Sequence, residues 1–456
     1  MAAAQTARKF TLQNSPDGES TLTVYLPQQP NGRAILDCPG GGYQHLAMDH
    51  EGHQWASFFN KQGIAYAVLK YRMPNGDRNK PLSDAYHAMR TLRDSAQTWH
   101  VNPLDVGIMG FSAGGHLASS VCTHAEWSVR PNFSILFYPV ITMGRGTHQG
   151  SKSHFLGTSS NDATVIEAWS NDRQVRRHLT PPAAIFLAND DRAVPPLQNG
   201  VAYYSAMREK GNNCALYIYP NGGHGFGFST TFAYHEQMLD ELTQWLRLLP
   251  SPKEGAKRVA CIGNSITDGH GIDMCDTRGY PAQLQKLLGQ DYLVKNFGVS
   301  ARTLLNKGDH PYMNEEAWHD ALAFLPDIVV VKLGTNDSKP GNWAHSNEFR
   351  HDLKQLTDSL KALPTHPRVL LCSPIPALKT TWGINDSIIT NGIMPIIKEV
   401  AKKQKGDYID LHSSFKTDGM YLSDGIHPNE KGAGQLASLV AKAIEANATE
   451  KGRKRQ

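Results

Sequence analysis

Near the middle of the chain, Leu249-Pro250-Ser251-Pro252-Lys253-Glu254-Gly255 packs two prolines and a glycine into one short stretch. Proline removes a backbone donor and glycine loosens φ, so neither a helix nor a central strand runs through such a segment. Before it, Met238, Leu239, Leu242, Trp245, Leu246 and Leu249 recur at helical spacing. After it, Arg258-Val-Ala-Cys-Ile-Gly263 is a short apolar run ending in glycine, which reads as a buried strand. The chain has 456 residues, more than the roughly 250–300 at which a single core stops growing. We therefore read two domains, 1–249 and 257–446, joined by a linker at 250–256 and followed by a polar tail at 447–456.

Both halves alternate short apolar runs with helical stretches. In the first, 33–38, 64–69, 106–109, 133–137, 184–187 and 215–219 read as strands, with helices at 82–99, 114–123 and 196–210. In the second, 259–262, 292–296, 328–333, 369–372 and 408–411 read as strands, with helices at 281–288, 348–362, 388–404 and 430–446. Pro428 suits the start of the last helix, where a missing N–H costs nothing. Such alternation predicts largely parallel sheets covered by helices on both faces, an α/β class of three-layer α/β/α domains. The stretch 141–180 is long and weakly patterned, as lids and insertions are.

Composition excludes several classes. Hydrophobic residues make up 40% and charged residues 19%, ordinary for a globular protein. The net charge is +4, partly from Lys451, Arg453, Lys454 and Arg455, which read as a polar tail rather than a nucleic-acid patch. No apolar run approaches the roughly 18 residues of a membrane span. The six cysteines show neither metal-ligand nor C-x-x-C spacing. The first residues lack the charged and apolar regions of a signal peptide. They fit the stub left where one has been removed and replaced by a start codon, which leaves the location open; a polymeric substrate would make a periplasmic or secreted location the expectation, with a cytoplasmic one as the alternative.

Gly110-Phe-Ser112-Ala-Gly114 follows one apolar strand and opens a helix, the context of a nucleophile elbow. Cys38-Pro-Gly-Gly41-Gly42-Tyr43 follows an early strand, where glycine N–H groups can join that of Ala113 around an oxyanion. Asp190-Asp191 and Gly-Gly-His224-Gly-Phe follow later strands, in the order serine, acid, base. These segments resemble the α/β-hydrolases, and among them carbohydrate-acting acetyl and feruloyl esterases, over about 20–249. The resemblance implies Ser112 as nucleophile, His224 as base and Asp191 as orienting acid, with Asp190 as the alternative acid. His116 reads as a helix-packing residue. His45, His50 and His53 lie close together, but His50-Glu51-Gly-His53 lacks the i, i+4 spacing of two metal ligands on one helix face.

Four further blocks sit at strand ends in the second half: Gly263-Asn264-Ser265, Asn296-Phe-Gly298, Gly334-Thr-Asn336-Asp337, and Asp424-Gly-Ile-His427. In this order they resemble the SGNH hydrolases, or GDSL-type esterases, over about 257–446, which implies a flavodoxin-like fold. The resemblance implies Ser265 as nucleophile, His427 as base and Asp424 as the acid beside it. The N–H groups of Ser265 and Gly298 and the Asn336 amide would form the oxyanion hole. Asn264 stands where the family more often has aspartate, at a position that supports the turn. Asp268, Asp337 and His310 read as polar loop residues.

Both constellations call for ester hydrolysis through a serine acyl-enzyme, with no metal or organic cofactor. The expectation is a two-site esterase that removes acetyl, or also feruloyl, groups from plant cell-wall polysaccharide, xylan foremost. The alternatives are one catalytic domain with a glycan-binding partner domain, or a lipase or general carboxylesterase. A peptidase is disfavoured because no blade-like repeat accompanies the first domain. Trp127, Trp169 and Tyr43 read as core residues first and as sugar-stacking groups second.

Overall fold

The computed structural model describes residues 8–453 and parts the chain between Glu254 and Gly255 into two compact units. The boundary falls inside the expected linker because its first residues are tied to the first unit. Asn102 donates its amide N–H to the Pro252 carbonyl at 2.5 Å, and the Ser251 hydroxyl donates to Asp105.

The first unit contains Arg8–Gln13 (β1), Thr21–Leu26 (β2), Ala34–Cys38 (β3), Ala65–Lys70 (β4), Val106–Phe111 (β5), Ser134–Phe137 (β6), Ala183–Ala188 (β7) and Cys214–Tyr219 (β8). They form one sheet in the order β1-β2-β4-β3-β5-β6-β7-β8. Only the β1–β2 and β2–β4 pairs are antiparallel. Alternate side chains feed two cores. Leu36, Ile108 and Ile185 pack with Leu82, Leu117 and Tyr203 of the helices Asn79–Asp94, Ser112–His124 and Gly200–Glu209. Ile35, Met109 and Phe186 pack with Phe59, Met238 and Leu242 of the helices Ala56–Lys61 and His235–Leu248. Phe111, Phe137, Phe186 and Tyr217 stand in register on adjacent parallel strands and stack at 4.7 to 4.8 Å between centroids. The segment 141–180 forms helices Gln149–Leu156 and Ala163–Ala168, and its Ile141, Met143 and Phe155 join the first core.

The second unit contains Lys257–Gly263 (β9), Tyr292–Gly298 (β10), Ile328–Lys332 (β11), Arg368–Cys372 (β12) and Asp407–Ile409 (β13). All four pairings are parallel, in the order β10-β9-β11-β12-β13. That is the second-first-third-fourth-fifth order of flavodoxin-like sheets. One face packs on Tyr280–Leu288 and Glu430–Arg453, the other on Glu316–Ala323, Ser346–Lys361 and Met394–Lys403.

Every strand read from the sequence is present, with ends shifted by two residues at most. β1 and β2 were not foreseen. β1 is a largely exposed antiparallel edge strand, and β2, between β1 and β4, alternates Thr21, Thr23 and Tyr25 with buried Leu22, Val24 and Leu26, so neither is the unbroken apolar run of a strand buried on both faces. The expected helix 388–404 is broken by a π turn at Ile389–Ile393. Pro395 there cannot donate to a carbonyl four residues back, and Gly392 packs against the Trp343 indole. The last helix continues past 446 to Arg453, since no proline or glycine stops it before Gly452; residues 454–456 of the expected polar tail, and the start of the chain, lie outside the described residues.

The packing leaves no room at Gly114, where an added Cβ would run into the carbonyl oxygens of Cys38 and Pro39. Gly114→Ala is expected to destabilise the first unit by about 3 kcal/mol. An unfolding free energy from denaturant titration that falls by less than about 1 kcal/mol would contradict this close approach.

Candidate active sites

β5 ends directly at Ser112, which opens the following helix at φ 51°. A left-handed serine costs about 1–3 kcal/mol, and the surroundings enforce it. Side chains at Gly110, Gly114 or Gly115 would collide with the Gly114 carbonyl, the Cys38 carbonyl or Pro139 respectively. The strand, the turn and the loop after β3 therefore meet backbone to backbone. Ser112 Oγ donates to His224 Nε2 at 2.8 Å, and His224 Nδ1–H donates to Asp191 Oδ2 at 2.7 Å. The other oxygen of buried Asp191 accepts the N–H groups of Ala193 and Val194, both at 2.9 Å. Asp190 is exposed and accepts Gly223 N–H at 2.8 Å, holding the turn before His224. Of the two acids, Asp191 is the one on the imidazole.

Gly40 lies against Ser112, and Gly41 and Gly42 follow at φ 134° and 66°. The N–H groups of Gly41, Gly42 and Ala113 meet no protein acceptor among the described residues. The Gly42 carbonyl accepts His154 Nδ1–H at 2.9 Å, so the 141–180 segment clamps this loop. His116 is a packing residue: its nitrogens bond the Tyr43 hydroxyl and the Trp169 carbonyl, both at 2.9 Å, and burial pushes its pKa down to about 4. Tyr43 is fully buried and Trp169 stacks on His124, so neither is an open sugar platform, while Trp127 is half-buried with the Arg130 guanidinium over its ring. His53 bonds the Tyr25 hydroxyl at 2.9 Å, and among the described residues no candidate metal-ligand group joins it to His45 or His50.

Two residues that sequence reasoning missed hold this site together. Glu51 is buried and accepts Gly40 N–H through Oε2 and the Tyr138 hydroxyl through Oε1, both at 2.8 Å. Tyr138 sits at φ 34°, accepts Gly227 N–H at 2.9 Å, and meets the His224 ring edge-on at 4.8 Å. Burial pushes the Tyr138 phenol well above its ordinary pKa, so it remains a donor. One carboxylate thus links the glycine loop, the base and the turn after the base. Its only local signal was a charged residue between two histidines, which also fits an exposed turn.

In the second unit, β9 delivers Ser265 at the first turn of a short helix whose cap is Asn264 Oδ1, accepting Ile266 N–H at 3.2 Å. The amide thereby does the supporting work expected of that position. Ser265 Oγ donates to His427 Nε2 at 2.8 Å, and His427 Nδ1–H donates to Asp424 Oδ2 at 2.9 Å. Asp424 Oδ1 accepts the N–H groups of Ile426 and His427 at 2.8 and 2.9 Å. Burial raises the Asp424 pKa, but these N–H groups and the imidazole outweigh it and leave the carboxyl below its ordinary value. Burial lowers the His427 pKa, and nearby His270 and Lys332 act the same way against Asp424. Lys332 is itself buried, its amine has no hydrogen-bond partner among the described residues, and burial pushes its pKa down to about 7. His270 and Trp382 flank the His427 ring at 4.5 and 5.5 Å.

Of the expected oxyanion donors, one is already engaged. Gly298 N–H is not open: it donates to Asn296 Oδ1 at 2.8 Å. Glycine is required there for space, since a Cβ would strike the backbone of Thr267 and Asp268. Ser265 N–H meets no protein acceptor among the described residues, and Asn336 spends one amide N–H on the Arg302 carbonyl at 3.1 Å. Asp337 accepts Leu304 and Leu305 N–H and is pushed up to about 6 by burial. Asp268 accepts the Ser300 hydroxyl, and His310 is exposed, so all three serve the loops.

Two outcomes test these geometries. With Ser265→Ala removing the second site, Glu51→Gln is expected to lower kcat at the Ser112 site about ten- to a hundredfold with KM little changed; a loss confined to KM would contradict a positioning role. With Ser112→Ala removing the first, the Ser265 site needs neutral His427. Its lowered pKa retains that form to more acidic pH, so kcat/KM should fall only below about pH 6.5. An acid limb centred above that value would contradict the burial argument.

Residues 36–228 match the alpha/beta hydrolase fold family, and 261–434 match the GDSL-like Lipase/Acylhydrolase family. An acetylxylan esterase of Xylanibacter ruminicola is 56% identical over 462 aligned residues, covering 97% of this chain and 96% of that protein. Endo-1,4-beta-xylanase B of Butyrivibrio fibrisolvens is 35% identical over 45% of this chain and 34% of its own length. A solved acetyl ester-xyloside bifunctional hydrolase of Caldicellulosiruptor lactoaceticus is 28% identical, covers 54% of this chain and 98% of its own, and has a TM-score of 0.48. The chain is a serine ester hydrolase and belongs to the family of the Xylanibacter acetylxylan esterase, with an alpha/beta hydrolase unit ahead of a GDSL-like unit.

Proposed function

We propose that this chain is a two-site carbohydrate esterase that removes acetyl groups from plant cell-wall polysaccharide, xylan foremost. The observation that carries the reading is the presence, in each unit, of an unbroken serine–imidazole–carboxylate relay with every link between 2.7 and 2.9 Å. The 56% identity to an acetylxylan esterase along nearly the whole chain supports the substrate.

The same steps serve both sites. The serine hydroxyl passes its proton to Nε2 as its oxygen attacks the ester carbonyl. The carboxylate on Nδ1 stabilises the imidazolium that forms. In the first site the N–H groups of Gly41, Gly42 and Ala113 receive the oxyanion; in the second, Ser265 N–H and the Asn336 amide do so. Gly298 contributes there only by sharing its N–H with Asn296. The imidazolium then protonates the departing sugar oxygen. Water, deprotonated by the same histidine, releases acetate from the acyl-serine. The two sites take different acyl positions or different acyl groups, acetyl at one and acetyl or feruloyl at the other. A polymeric substrate places the protein in the periplasm or outside the cell; among the described residues no helix is long and apolar enough to cross a membrane.

Position-resolved deacetylation of acetylated xylo-oligosaccharides by the wild type, Ser112→Ala and Ser265→Ala tests this reading. Each variant is expected to lose a different subset of acetyl positions. If Ser265→Ala changes nothing on any acetylated glycan, the second unit is a binding domain.

A further inference from the structure

The segment between β12 and the helix Asp386–Ile388 carries features that the relay does not use. Trp382 is 58% exposed, and it sits at φ 54°, a left-handed conformation that residues other than glycine avoid. A large aromatic side chain open to water and fixed on such a residue is unusual. The chain around it is bolted to the loop of the base. Leu378 N–H donates to the Gly425 carbonyl at 2.9 Å, Lys379 Nζ to the Ser423 carbonyl at 2.7 Å, and Thr381 Oγ1 to the Asp424 carbonyl at 2.8 Å. Beside it, residues 377–381 and Asp386 line an open cavity of about 620 Å³. The indole meets the His427 ring at 5.5 Å and 62°.

Deacetylation restricts where the sugar can lie. The oxygen that leaves must come within hydrogen-bond reach of His427 Nε2 to receive its proton. The pyranose ring bearing that oxygen therefore occupies the space beside the imidazole, where the Trp382 indole is exposed. The face of a pyranose is a set of C–H groups with slight positive charge, and the face of an indole is negative. The geometry points to Trp382 as the platform that receives the sugar ring of the leaving alcohol at the Ser265 site, with the 377–381 cavity taking the neighbouring sugar unit. The inference rests on the reading of the second unit as an esterase acting on a glycan, and it makes the alcohol side of the ester the side this site selects.

The test uses the full chain with Ser112→Ala, so that all turnover comes from Ser265. Rates are measured on acetylated xylo-oligosaccharide and on ethyl acetate, whose leaving alcohol has no ring. Trp382→Ala is expected to reduce kcat/KM for the oligosaccharide about tenfold more than for ethyl acetate, chiefly through KM, and Trp382→Phe should restore most of the difference. If the parent deacetylates the oligosaccharide and Trp382→Ala changes both substrates equally, or neither, the platform is overturned while the glycan reading stands. If the parent hydrolyses ethyl acetate but no acetylated sugar, the glycan reading of this unit falls and the platform with it.

Discussion

A parallel strand can raise a serine above its sheet only if the chain turns there with no side chain in the way. Both units depend on that close approach. At Gly110 and Gly114 the strand, the turn and the loop after β3 approach so closely that a Cβ would strike the Gly114 or Cys38 carbonyl, and at Gly263 a Cβ would strike Thr267 and the Lys332 carbonyl. Because the neighbouring strands are parallel, their carboxyl ends lie along one edge of the sheet, and the loops that leave them converge on the serine. Acid, base and oxyanion donors are then supplied by loops in sequence order. The fold comes first in this argument, and the chemistry is what the edge of such a sheet makes available.

The two units solve the same problem with different stiffness. In the first, acid and base leave different strands, β7 and β8, and the imidazole is aligned by Asp191, by the Tyr138 ring and by the Glu51 link to the glycine loop. In the second, Asp424 and His427 share one short loop, and the carboxylate is fixed by N–H groups from the residues just after it. Outside support reaches this loop through its backbone, where residues 378–381 donate to the Ser423, Asp424 and Gly425 carbonyls, rather than through a buried carboxylate like Glu51. The serines differ too: Ser112 is held in a left-handed conformation, while Asn264 caps the turn that presents Ser265.

What could be read from the residues follows from this division. Ser112, His224, Ser265, Asp424 and His427 were legible because each lies in a tight turn whose glycines or proline mark it locally. The central strands were legible because burial on both faces leaves an apolar run. Asp191 over Asp190 was only partly legible, since adjacent aspartates differ by which one the fold buries. Glu51 carried only an ambiguous local sign and Tyr138 none, because their importance comes from partners far along the chain. The engagement of Gly298 N–H by Asn296 was hidden for a subtler reason: a glycine block looks the same whether it serves as a donor or as a space.

That last distinction bears on how the second oxyanion hole works. A donor committed to Asn296 stabilises a new negative charge only by bending towards it or by releasing its present acceptor, and both have an energetic cost. Ser265 N–H has no such competitor, and the Asn336 amide keeps one hydrogen while the other is anchored on Arg302. Anchoring one hydrogen fixes the plane of the amide and so aims the free one, which is preorganisation of the kind that makes such donors effective. In the proposed mechanism the burden of charge stabilisation therefore falls on Ser265 and Asn336. Gly298 instead lets β10 approach the nucleophile turn closely enough for Asn296 to bind the Thr267 carbonyl at 2.8 Å and hold that turn in place.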